Sequence, residues 1–338
     1  MPATDNSSFD FELMGMRANQ TLINPRTNQL RSGWRALIFI AVLLAPRLMF
    51  SFLIRETGER TDAVFDLSFG MIFSYAAMIG WVVAVSWLCL KFLENLRLGS
   101  LGYRFHAGWW RDVLVGCGIS AAMICGVVLI QALGGGTRVM ANPLWWRAGA
   151  IDASGLWAMT LEIAMALLML VLAAAFEELI YRGYAFQTML RGAPAAVPIV
   201  LLSLLFALGH WENPGRTIFS TVNTVLAGIW LATAYLKTRS LWFPTALHFT
   251  WNWTMGAVFG IPVSGLLIPQ HPLLLSTPGR HFWLTGGSYG SEGGAAATIV
   301  IIISTFIIWR MKNLGIAPEM QKSQNDETGE DLSLKLSP

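Results

Sequence analysis

The sequence predicts an all-α, polytopic membrane protein with about eight transmembrane helices. Of its 338 residues, 54% are hydrophobic and only 13% are charged, whereas a soluble domain carries about 25% charged residues. The apolar residues also come in runs close to the roughly 20 residues that cross a bilayer. The 15 tryptophans suit a protein with two lipid–water interfaces. A formal net charge of +3 is too small to predict a nucleic-acid partner, so the lipid bilayer is the expected surrounding.

Eight apolar runs define the predicted spans, and span four is expected to continue as one helix to Arg191. Around them we predict four regions: a polar cytoplasmic segment at 1–33, accessory helices one to three at 34–150, a main helical domain at 151–312 with a long outer loop at 260–294, and a polar, disordered tail at 313–338. The predicted spans are 34–54, 65–93, 113–133, 156–191, 195–211, 217–236, 241–259 and 295–309.

The distribution of basic residues predicts the orientation in the membrane. Lys and Arg are retained on the cytoplasmic side, and they cluster before span one and after spans two, four, six and eight. An even number of spans places both termini on one side, which these clusters predict to be cytoplasmic. The basic residues at or just beyond the ends of spans two, four, six and eight include Lys91, Arg97, Arg191, Lys237, Arg239 and Arg310.

Span four carries charged residues where a membrane helix normally has none. Glu177, Glu178 and Arg182 lie in one short run, and each costs roughly 2.5–3.5 kcal/mol at the centre of a span. Glu178 and Arg182 are four residues apart with the acid first, the favourable order for an ion pair within a helix. Glu177 projects about 100° away and has no such partner on its own helix. Interfacial placement of all three is the alternative, but the depth of Glu177 argues against it.

Two later spans add polar residues that can meet this acid. If spans four and five form an antiparallel hairpin turning near Ala193, Glu177 lies level with residue 209, and His210 is next to that position. In span seven, His248 and Asn252 are four residues apart and therefore share one helix face. The alternatives are that His210 is interfacial and that His248 and Asn252 serve as interhelical hydrogen-bonding groups.

The three motifs together resemble those of the CAAX protease and bacteriocin-processing family, which includes the type II CAAX prenyl endopeptidases. That pattern is Glu-Glu-x-x-x-Arg, then Phe-x-x-x-His, then His-x-x-x-Asn. All three appear here in order, within about 170–256, a quarter of the chain. The matching residues are Glu177, Glu178, Arg182, Phe206, His210, His248 and Asn252.

The resemblance implies an intramembrane endopeptidase in the cytoplasmic membrane of a bacterium, with a conical helical core around a wet cavity. Carried onto this chain, Glu177 is the general base assisted by His210, and His248 with Asn252 binds the oxyanion. Glu178 and Arg182 shape the site. The substrate is expected to be a membrane-associated peptide or protein, with or without a lipid modification.

Other chemistries and functions remain open at this stage. Two histidines and a glutamate resemble a hydrolytic zinc site, but the chain lacks His-Glu-x-x-His, so no metal or other cofactor is favoured. A catalytically inactive scaffold or bacteriocin self-immunity protein is the main alternative function. A proton or ion pathway is a further one, because intramembrane acids and histidines also line transporters.

Overall fold

A computed structural model describes residues 21–25, 28–57, 69–147, 149–312 and 314–316. The chain is mostly helical, at 71%. The predicted disordered tail lies almost entirely outside the described residues, as do the first 20 residues of the polar amino-terminal segment. The main helices are α1 Ser32–Thr57, α2 Phe69–Cys89, α3 Trp109–Leu133, α4 Ala153–Tyr181, α5 Tyr184–Gly192, α6 Ala196–Gly209, α7 Ile218–Thr238, α8 Trp242–Trp253 and α9 Ala295–Arg310.

Four helical segments of the described chain are long and apolar enough to cross a membrane, so eight transmembrane helices are not confirmed. Three shorter apolar helices correspond to predicted spans one, five and eight. Predicted span seven became α8, which has 12 residues before a π-helical turn at Thr254–Val258. Twelve helical residues extend about 18 Å, well short of a bilayer core of about 30 Å. The four long segments are Phe69–Glu94, Trp109–Leu133, Ala153–Gly192 and Ile218–Thr238.

The expectation that span four continues unbroken to Arg191 is wrong. Helix α4 ends at Tyr181, Arg182 caps it, and α5 begins at Tyr184. The break lies at Gly183, where a Cβ would stand 2.1 Å from the carbonyl oxygen of Leu179. Only a residue without a side chain allows the backbone to turn this closely. The break places Arg182, four residues after Glu178, at the carboxyl end of α4.

Small residues hold α8 in the centre of the helix bundle. Ser120 of α3 donates a hydrogen bond of 2.7 Å to the carbonyl of Leu247 in α8. At Gly116 of α3, a Cβ would lie 2.8 Å from the Cβ of Ala246, so the two helices touch there through their backbones. Because α8 also packs against α4, its polar residues face the two glutamates.

The segment at 260–294, predicted as an outer loop, folds back onto the helices and contains defined structure. Its strand β4, Leu274–Pro278, pairs antiparallel with β3, Thr137–Ala141, which follows α3. Val139 pairs with Ser276 in this two-stranded sheet. A second small sheet pairs β1, Ile23–Asn24, with β2, Gln29–Leu30, so the fold is helical with two minor sheets rather than strictly all-α. The loop therefore becomes part of the wall around the site.

Candidate active site

A cavity of about 560 Å³ lies among α4, α6, α7 and α8 and reaches α1 and α2. Its apolar wall includes Met169, Leu170, Phe206 and Ile268. The polar groups concentrate on one part of its surface, where helices from distant parts of the sequence meet. The polar residues that line it include Tyr75, Glu177, Tyr181, His210, Asn213, Asn223, Thr224, His248, Asn252, Ser264 and Glu292.

Glu177 stands between two imidazoles from different helices. Its Oε2 is 3.9 Å from Nε2 of His210 and 3.7 Å from Nε2 of His248. Its side chain remains 25% exposed, whereas the neighbouring Glu178 is fully buried. At these distances neither imidazole makes a direct hydrogen bond to the carboxylate, and Glu177 Oε2 has no hydrogen-bond partner among the described residues. The site thus brings a carboxylate and two bases to a common point.

Glu178 links the first and third motifs. Its Oε1 lies 3.0 Å from Nη1 of Arg182 and 3.0 Å from Nδ1 of His248. The predicted ion pair between Glu178 and Arg182 is thereby confirmed, and its burial is nearly complete at both ends. Arg182 also donates a 2.9 Å hydrogen bond to the carbonyl of Gly228 in α7. The buried Glu178–Arg182 pair therefore links α4 to α8 through Glu178 and to α7 through Arg182.

The second motif orients His210 through its own helix end. His210 caps α6, and its Nδ1 lies 2.8 Å from the carbonyl oxygen of Phe206. Since a carbonyl only accepts, Nδ1 must carry the proton, which leaves Nε2 of the neutral ring unprotonated and facing Glu177. The Phe206 ring packs against His210 and His248, with ring centroids 4.7 and 5.9 Å away, and under the Arg182 guanidinium at 4.9 Å. Phe206 of the second motif is thus the apolar side chain against which His210, His248 and Arg182 pack.

A family model matches this region of the chain. Residues 159–254 match the model described as "Type II CAAX prenyl endopeptidase Rce1-like". This chain contains an Rce1-like domain. The match covers about a quarter of the sequence and spans all three motifs, so the resemblance inferred from them is confirmed. No curated protein and no solved structure matches the chain.

The match points to a peptidase, and together with the apolar helices it points to an integral membrane protein. Its polar motif residues Glu177, His210, His248 and Asn252 all line the one cavity. Glu178 and Arg182 lie behind that surface, buried in contact with His248 and Phe206 respectively. Asn252 lies one helical turn beyond His248, on the face that the spacing predicts.

Sequence reasoning did not include Glu292 among the site residues. It lies after the family-model match, yet lines the cavity of the Rce1-like domain. Its Oε1 accepts a 2.9 Å hydrogen bond from Trp251 Nε1, and its Oε2 accepts two of 2.7 Å from the backbone and hydroxyl of Ser264. In the sequence, Glu292 is a single acid in the glycine-rich run Gly-Ser-Glu-Gly-Gly that starts at Gly290. This run is far from the motifs along the chain, so the sequence does not indicate that Glu292 lines the cavity.

A metal site was not favoured from the sequence, and the described ranges contain no group of three or more His, Cys, Asp or Glu side chains arranged to hold a metal ion. In the Rce1-like domain, Nδ1 of both motif histidines already has a protein partner. Metal dependence is a question for the chelator experiment below.

Proposed function

We propose that this protein is an intramembrane endopeptidase that hydrolyses a peptide bond of a membrane-associated or lipid-modified substrate. The observation that supports this most is the position of Glu177 Oε2, within 4 Å of the Nε2 atoms of His210 and His248. The match to an endopeptidase family supports the same reaction class. A carboxylate beside two imidazoles is a standard arrangement for moving the protons of an attacking water.

In the proposed reaction, a water molecule held between Glu177 and His210 attacks the carbonyl carbon of the scissile bond. Glu177 accepts one proton from that water as its oxygen bonds to the carbon, and a tetrahedral intermediate forms. Collapse of the intermediate breaks the C–N bond, and the accepted proton passes, through His210, to the leaving amine. The products are a carboxylic acid and a free amine; the acid then gives its proton to the amine, which leaves a carboxylate and an ammonium, so atoms and protons balance.

His248 and Asn252 are the proposed donors to the oxyanion. When both nitrogens of His248 carry protons, Nδ1 donates to Glu178 and Nε2 is left to donate into the cavity. The Asn252 amide supplies a second donor from the same helix face. Donors fixed before the reaction stabilise developing negative charge far better than mobile water does.

Glu178 and Arg182 act in this proposal by positioning. Neither presents its charge to the cavity, because the two are paired and at most 1% exposed. Glu178 instead orients the His248 ring through Nδ1, as a carboxylate commonly does for a catalytic imidazole. Removing either one should therefore disturb geometry and stability together.

The apolar part of the cavity supports a membrane-associated substrate. Leu44 of α1 with Met78 and Trp81 of α2 line it, and each is about 40% exposed. These side chains join the cavity to the apolar surface of the helices, where a substrate held in or on the bilayer would approach. Beside Glu177 the lining side chains include the imidazoles of His210 and His248, which are the polar groups that a hydrolytic centre needs.

The test uses the full chain in detergent with a library of lipid-modified and unmodified peptides. Wild-type protein should cleave a subset, and a Glu177→Ala/His248→Ala double variant should cleave none while eluting as a folded species. Glu162→Ala removes a carboxylate of α4 that binds His271 away from the cavity, so it is the matched control and should retain activity.

Two outcomes would change the proposal. If no peptide is cleaved by the wild type, or if the double variant cleaves as well as the wild type, the inactive scaffold becomes the better interpretation. A strong chelator is added in parallel: retained activity supports direct water attack without a metal, and lost activity that zinc restores would replace it with metal-assisted hydrolysis.

A further inference from the structure

A second cavity lies on the other side of α7 from the candidate active site. This groove, of about 630 Å³, lies between α7 and α9 with Ile199 of α6 at one edge. Leu226 and Ile229 of α7 line it, whereas Ala227 and Trp230 line the catalytic cavity. The groove and the catalytic cavity therefore lie on different faces of α7, and Ile301 of α9 lines both.

The groove is open along its length and apolar. Ile302, Phe306 and Trp309 of α9 line it and are each more than half exposed. Such side chains on an apolar helix contact lipid in a bilayer. The shape is an open channel that runs along two membrane helices.

One end of the groove is cationic. Lys237 and Arg239 line it, and Arg310 stacks on its Phe306 and Trp309 rings, with centroid distances of 4.9 and 5.1 Å. Among the described residues, no carboxylate lies within 4.0 Å of the basic groups of these three. This end coincides with the side that the basic residues predict to be cytoplasmic, where anionic lipid headgroups concentrate.

Arg239 is built into this end rather than mobile on the surface. It is 5% exposed, and its backbone adopts φ +56° where α7 ends. Its guanidinium is hydrogen-bonded to Tyr235, and its Nε has no hydrogen-bond partner among the described groups. Lys237 is held nearby, its Nζ donating 3.3 Å to the carbonyl of Trp309. A buried guanidinium nitrogen with an unused proton is a fixed donor for an oxyanion, most naturally a phosphate.

We propose that this groove binds an anionic phospholipid, with its phosphate on Lys237 and Arg239 and an acyl chain along the α7–α9 channel. The combination of an apolar channel and an uncompensated cationic end matches both parts of such a lipid. Trp309, at the boundary between them, suits the headgroup level of a bilayer. Nothing in this proposal depends on the catalytic assignment.

The experiment measures lipid binding to delipidated full-length protein by native mass spectrometry. Phosphatidylglycerol and phosphatidylcholine with the same acyl chains are compared, and we expect at least about a fivefold preference for phosphatidylglycerol. Lys237→Gln should weaken its binding by about fivefold, and Lys237→Gln/Arg239→Gln by about 25-fold, as expected if each cation near the headgroup contributes about fivefold. Lys91→Gln is the control, because Lys91 is an exposed lysine stacked on Trp87 and Phe92 outside the groove.

A variant that blocks the channel keeps the test valid if the Arg239 variant does not fold. Ile302→Trp places a larger side chain at an exposed position of the groove and leaves every charge in place. It should weaken phosphatidylglycerol binding at least tenfold. Equal binding of the two lipids, or unchanged binding in both Lys237→Gln and Ile302→Trp, would overturn the proposal. Displacement by millimolar inorganic phosphate would also overturn it, because the site would then recognise phosphate without the acyl chain.

Discussion

Two carboxylates line the same cavity in opposite chemical settings. Glu292, from the loop wall, accepts three hydrogen bonds of 2.7–2.9 Å from an indole, a hydroxyl and a backbone amide. Glu177, from the motif helices, directs Oε2 at two imidazoles 3.7 and 3.9 Å away. Glu292 is held by donors that carry no charge, whereas Glu177 faces two imidazoles, whose ring nitrogens can donate or accept a proton. We infer that the loop carboxylate holds the wall in place and the motif carboxylate performs the chemistry.

Removing the shared imidazole should produce the largest effect. His248 contacts both motif glutamates, Glu177 and Glu178, whereas His210 contacts only Glu177 of the two. We expect His248→Ala to lower kcat by about 10²–10³-fold, the usual range for loss of an oxyanion donor, and His210→Ala to lower it less. Single-turnover cleavage of a library-identified peptide measures both. A larger loss in His210→Ala would reverse the roles assigned to the two rings.

Breaking the buried ion pair should affect stability most. Glu178→Ala leaves Arg182 buried without its carboxylate, which costs about 3–5 kcal/mol of unfolding free energy. Thermal unfolding in detergent should show a large drop in midpoint. The matched variant Glu178→Ala/Arg182→Met should recover part of the loss, since no unpaired charge remains. A double variant as unstable as the sum of the single ones would show that the two groups are not coupled.

A smaller effect is expected in the loop wall. Glu292→Gln keeps one acceptor oxygen but turns an amide toward the Ser264 or Trp251 donors, which costs about 1–3 kcal/mol. Activity should fall by less than in His248→Ala, because only the wall is displaced. Ser264→Ala, which removes one hydroxyl donor, is the milder comparison. Loss of activity as complete as in His248→Ala, at unchanged stability, would move Glu292 into the catalytic machinery.

The smallest effect is expected at the outer edge of the loop. His271 pairs with Glu162 at 2.6 Å, but its side chain is 45% exposed, and such surface pairs contribute at most about 1 kcal/mol. His271→Ala should leave the unfolding midpoint within a few degrees of wild type and the cleavage rate unchanged. A large loss of either would mean that this contact anchors the loop more strongly than its exposure indicates.

The sequence predicts the motif region well because its constraints are local. An i, i+4 acid–base spacing determines the Glu178–Arg182 pair, and charges inside an apolar run indicate a shared polar site before any fold is known. The hairpin argument also puts His210 beside Glu177. These are consequences of helical geometry within short stretches of chain.

The remaining features depend on contacts that the sequence does not display. The break at Gly183 arises from a close backbone approach to Leu179. A single glycine inside an apolar run does not by itself predict such a break. Glu292 reaches Trp251 from 41 residues away, through a loop whose fold depends on pairing with β3. The α8 helix is shorter than the predicted span because the backbone changes from α-helix to π-helix at Thr254. Hydropathy does not indicate this change, because the chain on both sides of it is mostly apolar.

The most direct test of the account is the single-turnover cleavage rate of Glu177→Gln, measured beside its unfolding midpoint. Glutamine keeps the size of the side chain and removes the carboxylate that accepts the proton. We predict a rate at least about 10²-fold below wild type with an unchanged midpoint. A rate within twofold of wild type would contradict the central claim that Glu177, between His210 and His248, activates the attacking water.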